Sequence, residues 1–449
     1  ESVVKLLEGS WAIAVIMSGR ERILVARNGA PIIIGRGHKK ICISSDIQPL
    51  YGVCTEVSYV NEGDILSIGT DAIESKDESR NNDFSPLSGT YEEQDTGLFP
   101  HLMIKEIHDQ PISLSNSLGG RISPDGAKTS LGGMALSPEE ILKLDRINIV
   151  ACGSAFFASQ VGVEIIREYS DIIVEAFLAS DFPASSVCWE NTLTIAVSQS
   201  GETKDTLDAL QRAKSQGGKI SSFCNVVGST ISRYSGNGAY LHAGPEYAVA
   251  STKVFTSMIA VFSLFAISIS NVTLREKRNL ISGLRRLPST ITRQLVDDDG
   301  AIDKSLEILM EAKYALFIGR GISAPIAQEG ALKMMEVAYL PCLAYPGGEL
   351  KHGPIALIEQ GTPVVAIVPD DSTFNSMISS IKECKSRGAR IIMISDVDGP
   401  ETSIADVLIP TQKSNLVTSP VVNTIPLQIL AYHLGVKKGR NVDRPRNLA

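Results

Sequence analysis

From about residue 139 onward, short unbroken apolar runs alternate with segments whose apolar positions recur every three or four residues. The runs are Ile147–Ala151, Leu193–Val197, Ile220–Cys224, Tyr314–Ile318, Pro363–Pro369 and Arg390–Asp396. A short, almost wholly apolar run suits a strand covered on both faces. Strands interleaved with helical periodicity suit a parallel sheet with helices packed on it. The pattern also repeats. Each half opens on a strand that leads into a glycine-containing turn and then a helix, at Cys152-Gly153-Ser154 and again at Gly319-Arg320-Gly321. The expected fold is α/β, with two tandem doubly wound parallel-sheet domains over 139–290 and 291–449. Ligands are expected near the carboxyl ends of the strands.

Before this region the period changes. Trp11–Met17, Arg22–Ala26, Pro31–Ile34 and Ile65–Ile68 read as short strands, and Asn28-Gly29 between two of them is a hairpin signal. The polar stretch Glu74–Asp95 reads as exposed or flexible, and 96–138 as a connector punctuated by Gly-Gly and Pro-Asp-Gly. Val254–Leu274 carries so few charges that a membrane span has to be weighed. Seven Ser, Thr and Asn residues interrupt it, which favours a buried helix in a large core.

Composition narrows the function classes. A chain of 449 residues with 43% hydrophobic and 20% charged content is an ordinary soluble globular protein of about three domains. A net charge of -8 gives nucleic-acid binding no support. Seven cysteines, at 42, 54, 152, 188, 224, 342 and 384, form no CxxC pair, and six histidines lack metal-ligand spacing. A reducing compartment and no metal are expected.

Five clusters carry candidate chemistry. Ser198-Gln199-Ser200-Gly201-Glu202-Thr203 lies between a buried strand and a helix start, where free N–H groups and several hydroxyls converge on a point that suits a phosphate dianion. The competing reading is an ordinary N-cap by Thr203 or Ser200. Glu329, Lys333 and Glu336 fall on one helix face at i, i+4 and i+7. Glu336 with His352 and Lys333 makes a candidate acid/base set, while on spacing alone Glu329 and Lys333 also fit a helix-surface ion pair. His352, in the loop Gly348–Pro354, can act as an acid/base or stand solvated. Cys152 ends a strand, either as a small buried residue or as a reactive thiol. Glu246–Lys253 precedes the long apolar helix.

Ala151-Cys-Gly153, Ser198–Thr203, Ala243–Glu246, Val249–Lys253, Glu329–Lys333, Gly348–Pro354 and Pro445–Ala449 occur in this order along the chain. The set resembles the glutamine–fructose-6-phosphate aminotransferase (isomerising), or glucosamine-6-phosphate synthase, family of the sugar-isomerase (SIS) type. Residues 1–84 resemble the C-terminal half of that family's N-terminal-nucleophile glutaminase domain, through Arg27–Pro31, Ser45-Asp46 and Glu62–Ile65. Residues 85–138 would be a linker, within which Lys105–Pro111 also matches, with Asp109 where the family usually has Glu.

The resemblance implies that glutamine is hydrolysed at one site and that its ammonia travels to fructose 6-phosphate, giving glucosamine 6-phosphate for the UDP-N-acetylglucosamine pathway. Ser198, Gln199, Ser200 and Thr203, with Ser154, would hold the phosphate. Cys152, Gly153, Glu246, Val249, Ala250, Ser251 and Ala449 would line the sugar pocket. Glu336 would shuttle a proton between C1 and C2 aided by Lys333, and His352, from a neighbouring subunit of a homodimer, would assist ring opening. No cofactor, nucleic acid or membrane is implied, and the location would be cytoplasmic.

Three departures stand out: Glu1 rather than a nucleophilic cysteine opens the sequence, the family's Schiff-base lysine would follow Ala449, and Ser154-Ala155 replaces a usual Thr-Ser. The alternatives are a non-catalytic hexose-phosphate sensor built on SIS domains and an ammonia-dependent aldose–ketose isomerase or deaminase.

Overall fold

The architecture is taken from a computed structural model that describes residues 3–9, 11–45, 47–61, 63–69, 73–75, 84–87, 96–134, 136–183, 190–296 and 300–448. The chain forms two compact units, Glu1–Asp95 and Thr96–Ala449.

The first unit is built from antiparallel strands: β1 (Trp11–Ile16), β2 (Arg22–Asn28), β3 (Ile33–Gly37), β4 (Lys40–Ser44), β5 (Glu56–Tyr59), β6 (Ile65–Gly69), β7 (Ile73–Ser75) and β8 (Ser85–Pro86). They make two four-stranded sheets, ordered β1-β2-β6-β7 and β4-β3-β5-β8. Val25 and Leu66 from one sheet and Ile34 from the other share a single core. The expected hairpin at Asn28-Gly29 does not form. Gly29 takes the positive φ of the signal, but β2 and β3 belong to different sheets, so the turn passes the chain from one sheet to the other. Most of 74–95 lies outside the described residues, as do Asp46 and Glu62 of the motifs and Cys188.

In the second unit, 96–138 is more than a connector. It contains α1 (Leu102–His108) and α2 (Gln110–Leu118), whose Met103, Ile107 and Leu114 are fully buried. Pro111 sits in the first turn of α2, where its missing N–H costs nothing. After α3 (Pro138–Leu142) come β9 (Arg146–Ala151), α4 (Ser154–Tyr169), β10 (Ile173–Leu178), β11 (Thr192–Ser198), α5 (Lys204–Ser215), β12 (Lys219–Cys224), α6 (Thr230–Ser235) and β13 (Gly238–Tyr240). Helices α7 (Lys253–Ile269), α8 (Leu274–Val296) and α9 (Ala301–Met310) lead into the second half. It comprises β14 (Ala315–Gly319), α10 (Ser323–Ala338), β15 (Cys342–Pro346), β16 (Pro363–Ile367), α11 (Phe374–Lys385), β17 (Arg390–Ser395), β18 (Val407–Pro410) and α12 (Ser419–Lys437).

The two five-stranded sheets, β10-β9-β11-β12-β13 and β15-β14-β16-β17-β18, are parallel throughout. Counted within each half, both have the order 2-1-3-4-5, so the expected doubly wound repeat is present. In this order the winding reverses between the first and third strands, which opens a crevice at their carboxyl ends. Helix α7 is buried along its length, and among the described residues no helix is long and apolar enough to cross a membrane. A single core runs through both halves, joining Ile149 and Phe262 to Phe317 and Val421. Helix α10 packs against α12 and also against α4 of the first half. That contact brings its side chains to the first crevice.

Candidate active site

At the crevice between β9 and β11 lies a cavity of about 190 Å³, lined by the turns that follow both strands, by the 249–251 loop and by α10. Three hydroxyls from the second turn face it, and their bonds explain their orientation. Ser198 Oγ lies 2.9 Å from Thr203 Oγ1 and accepts the Gly201 N–H at 3.0 Å. Ser200 Oγ accepts the Glu202 N–H at 3.1 Å. Thr203 stands at the N-cap of α5, yet its side chain does not cap the helix. The ordinary-cap reading therefore fails for Thr203: its hydroxyl is directed to Ser198, and the positive end of α5 is left for a ligand. Glu202 points away, with its carboxylate accepting the N–H (2.9 Å) and the hydroxyl (2.6 Å) of Thr230 at the start of α6.

The first turn adds a second helix start. Gly153 has φ +56 at the N-cap of α4, which no side chain caps, and Ser154 opens the helix on the cavity wall. Cys152 lines the cavity beside Thr206 Oγ1, at 3.8 Å, instead of being sealed in the core. Two helix N-termini and four hydroxyls thus face one small space.

Lys333 and Glu336 bring the opposite wall. A surface ion pair is not what forms here, because Glu329 and Lys333 are each 1% exposed. Lys333 Nζ lies 2.5 Å from Glu336 Oε2 and 3.4 Å from Glu329 Oε1. Burial pushes the Glu329 carboxyl up to about 7 against the pull of the ammonium; Glu336 adds to the rise and the Ser154 hydroxyl opposes it. Among the described residues neither Glu329 oxygen has a well-aligned hydrogen-bond donor, although Lys333 Nζ lies within ion-pair reach of Oε1. Burial alone would lower the Lys333 ammonium, but the two carboxylates outweigh it and hold the group above the ordinary lysine range. Lys333 is therefore a fixed cation, and Glu336, 22% exposed at its side chain, is the carboxylate of the three that opens on the cavity.

Val249 and Ser251 line the third side. Glu246 and Ala250 do not. Glu246 accepts the Ser251 hydroxyl (2.9 Å) and the N–H groups of Thr252 (2.8 Å) and Val254 (3.1 Å), so it holds the loop and the start of α7; Ala250 is buried behind it. His352 stands exposed on the short helix Glu349–His352 and is not among the residues that line the cavity. Ala449 lies outside the described residues. Gln199 is on the cavity wall, as is Ala155 of the Ser154-Ala155 departure; Val197 and Met258, which the sequence patterns did not single out as site residues, join them. Among the described residues, no group of three His, Cys, Asp or Glu side chains could hold a metal ion.

The matching crevice of the second half differs in charge. The turn after β16 carries Asp370 and Asp371, and Asp371 accepts both the N–H and the hydroxyl of Thr373 at 2.7 Å. A carboxylate therefore stands in the turn where the first half presents hydroxyls, so the two crevices differ in the groups they offer a ligand.

The SIS-domain family model matches residues 140–268 and 308–437. A glutamine–fructose-6-phosphate aminotransferase (isomerizing) from Chlorobaculum tepidum is 36% identical over 99% of this chain and 74% of its own length. One of the same name from Pseudomonas aeruginosa is 36% identical over 100% of this chain and 75% of its own. The solved C-terminal domain of glucosamine-fructose-6-phosphate aminotransferase from Francisella tularensis superposes with a TM-score of 0.73 at 32% identity, covering 78% of this chain and all of that one. On these matches, read with the twofold 2-1-3-4-5 repeat, this chain belongs to the glutamine–fructose-6-phosphate aminotransferase (isomerizing) family and carries two SIS domains.

Proposed function

We propose that this chain converts fructose 6-phosphate and glutamine-derived ammonia into glucosamine 6-phosphate, with the sugar phosphate bound in the cavity between β9, β11 and α10. The observation that carries the proposal is the meeting of an uncapped, hydroxyl-rich pair of helix N-termini with a buried ammonium–carboxylate pair across a space of about 190 Å³. Ser198, Gln199, Ser200, Thr203 and Ser154 hold the phosphate by hydroxyls and helix N–H groups. The sugar then extends toward Val249, Ser251 and Cys152. Glu336 takes a proton from one of C1 and C2 and returns it to the other. Lys333, kept charged by its two carboxylates, stabilises the enolate oxygen that develops between these steps.

Residues 1–84 contribute part of the glutaminase domain, 85–138 link it to the two SIS domains at 139–290 and 291–449, and ammonia passes through the protein to the sugar. His352 assists ring opening from the second subunit of a homodimer, a role supported by its exposure on a short helix. A cytoplasmic enzyme of amino-sugar biosynthesis fits this chemistry. A hexose-phosphate sensor would need the hydroxyls but not a buried carboxylate–ammonium–carboxylate set, whose desolvation is costly without a catalytic role. The test is solvent-isotope exchange into the bound sugar. In the full protein, Glu336→Gln should block exchange while leaving fructose 6-phosphate binding in place; exchange at the wild-type rate would remove Glu336 from the proton transfer.

A further inference from the structure

The loop that brings Val249 and Ser251 to the cavity is held from outside itself at three consecutive N–H groups. Glu106 Oε1, on α1, accepts the Tyr247 N–H at 2.6 Å and the Ala248 N–H at 3.2 Å. The Val249 N–H donates to the Asp443 carbonyl at 3.0 Å. The Asp443 carboxylate in turn accepts the N–H groups of Leu102 (3.0 Å) and Met103 (2.8 Å), the first two residues of α1. The ring therefore closes: C-terminal segment to α1, α1 through Glu106 to the loop, loop back to the C-terminal segment.

Glu106 is an expensive residue to place here. It is 2% exposed, its Oε2 has no hydrogen-bond partner among the described residues, and the charges of Glu246 and Lys253 lie close enough to act on it. An apolar residue would pack there without that penalty, but it would leave two loop N–H groups unmet. The same helix carries Lys105 toward Asp109 (2.8 Å), and Asp109 also meets Lys253 (3.2 Å), the first residue of α7. Residues 105–109 thus fix both ends of the segment that runs from Glu246 into α7.

We infer that Glu106 and Asp443 are positioning residues of the sugar pocket: together they set the path of residues 247–251 and lock the sugar-facing wall to the C-terminal segment. The inference rests on reading the cavity as a sugar-phosphate site. The phosphate-binding turns bond to neither residue, so the clamp governs recognition of the sugar rather than of the phosphate.

The test is calorimetry on the full chain with two probes, fructose 6-phosphate and inorganic phosphate. Glu106→Ala should raise the fructose 6-phosphate dissociation constant at least about tenfold while phosphate binding stays within about twofold, and Glu106→Gln, which keeps the accepting oxygen, should restore sugar binding to within about threefold of wild type. Wild-type affinity for fructose 6-phosphate in the alanine variant, or equal losses for both probes, overturns the clamp. If the wild-type protein binds neither probe, the sugar-phosphate reading fails separately. The clamp is then judged by amide exchange in the ligand-free wild-type protein, which also serves if the alanine variant does not fold. Slow exchange at Tyr247, Ala248 and Val249 supports it, and exchange as fast as in exposed turns overturns it.

Discussion

Gly201→Ala is the sharpest single perturbation of the phosphate cradle. Gly201 has φ +68, its N–H reaches Ser198 Oγ, and its carbonyl accepts the Ile231 N–H at 2.9 Å. A Cβ there would stand 2.0 Å from Ser229 Oγ and 2.5 Å from Ser229 Cβ. Ser229 is fully buried at the start of α6 and cannot swing aside. The left-handed backbone costs an alanine roughly 1–2 kcal/mol, and overpacking adds about 1–3 kcal/mol. The turn relieves that strain by moving, and the hydroxyls of Ser198 and Thr203 move with it. Losing one hydrogen bond to a charged phosphate corresponds to about 1.5–3 kcal/mol, or at least about tenfold in affinity.

Gly153→Ala is the natural comparison, because φ is also positive (+56) but no heavy atom lies within 4 Å of the added Cβ. Calorimetric titration with fructose 6-phosphate and a thermal melt should show Gly201→Ala as the more damaging change in both. Wild-type binding by Gly201→Ala, or a larger loss from Gly153→Ala, would refute the reasoning.

Other expectations follow from buried groups. Lys333→Met leaves Glu329 and Glu336 without their cation; a loss of about 3–5 kcal/mol in denaturant unfolding is expected, and no loss would mean the pair is not desolvated as described. Burial, and next the nearby Glu246, push the Glu106 carboxyl up to about 8 from an ordinary 4.5. The folded state therefore keeps a proton that the unfolded chain has released, and wild-type stability falls as pH rises through that window. Glu106→Gln removes this term, so its stability relative to wild type should climb by a few kcal/mol, roughly 4 at most, between pH 4.5 and 8. A pH-independent difference would contradict the raised carboxyl. Gly162→Ala would put a Cβ 2.6 Å from the Phe262 ring between α4 and α7. It should lower the melting temperature while leaving phosphate affinity unchanged, and a selective loss of binding would count against the site's placement.

The parallel core was legible because central strands are covered on both faces and write themselves as apolar runs. The strands that escaped, β10, β13, β15 and β18, are the edges of their sheets. Ile173-Val-Glu-Ala-Phe-Leu178 and Cys342–Pro346 are half exposed, so their patterns mix. Helices α1 and α2 were hidden by the Gly-Gly and Pro signals around them. The phosphate cradle could be read from Ser198–Thr203 because hydroxyls between a strand and a helix are a local pattern. The burial of Lys333 could not, because i, i+4 spacing places residues on one helix face without saying what covers that face. Here α10 packs among α4, α12, β14 and β15, and Lys333 ends 1% exposed. Glu106 lay within the matching Lys105–Pro111 segment, but its role could not be read there, since its partners lie more than a hundred residues away.

The most direct test of the central claim is calorimetric binding of fructose 6-phosphate to the wild-type protein and to the double variant Ser198→Ala, Ser200→Ala. A dissociation constant at least about tenfold higher in the double variant, with a cooperative thermal melt showing that the fold is kept, is the predicted result. Equal affinity in the two proteins would contradict the account, because the phosphate would then be held somewhere other than the turn after β11.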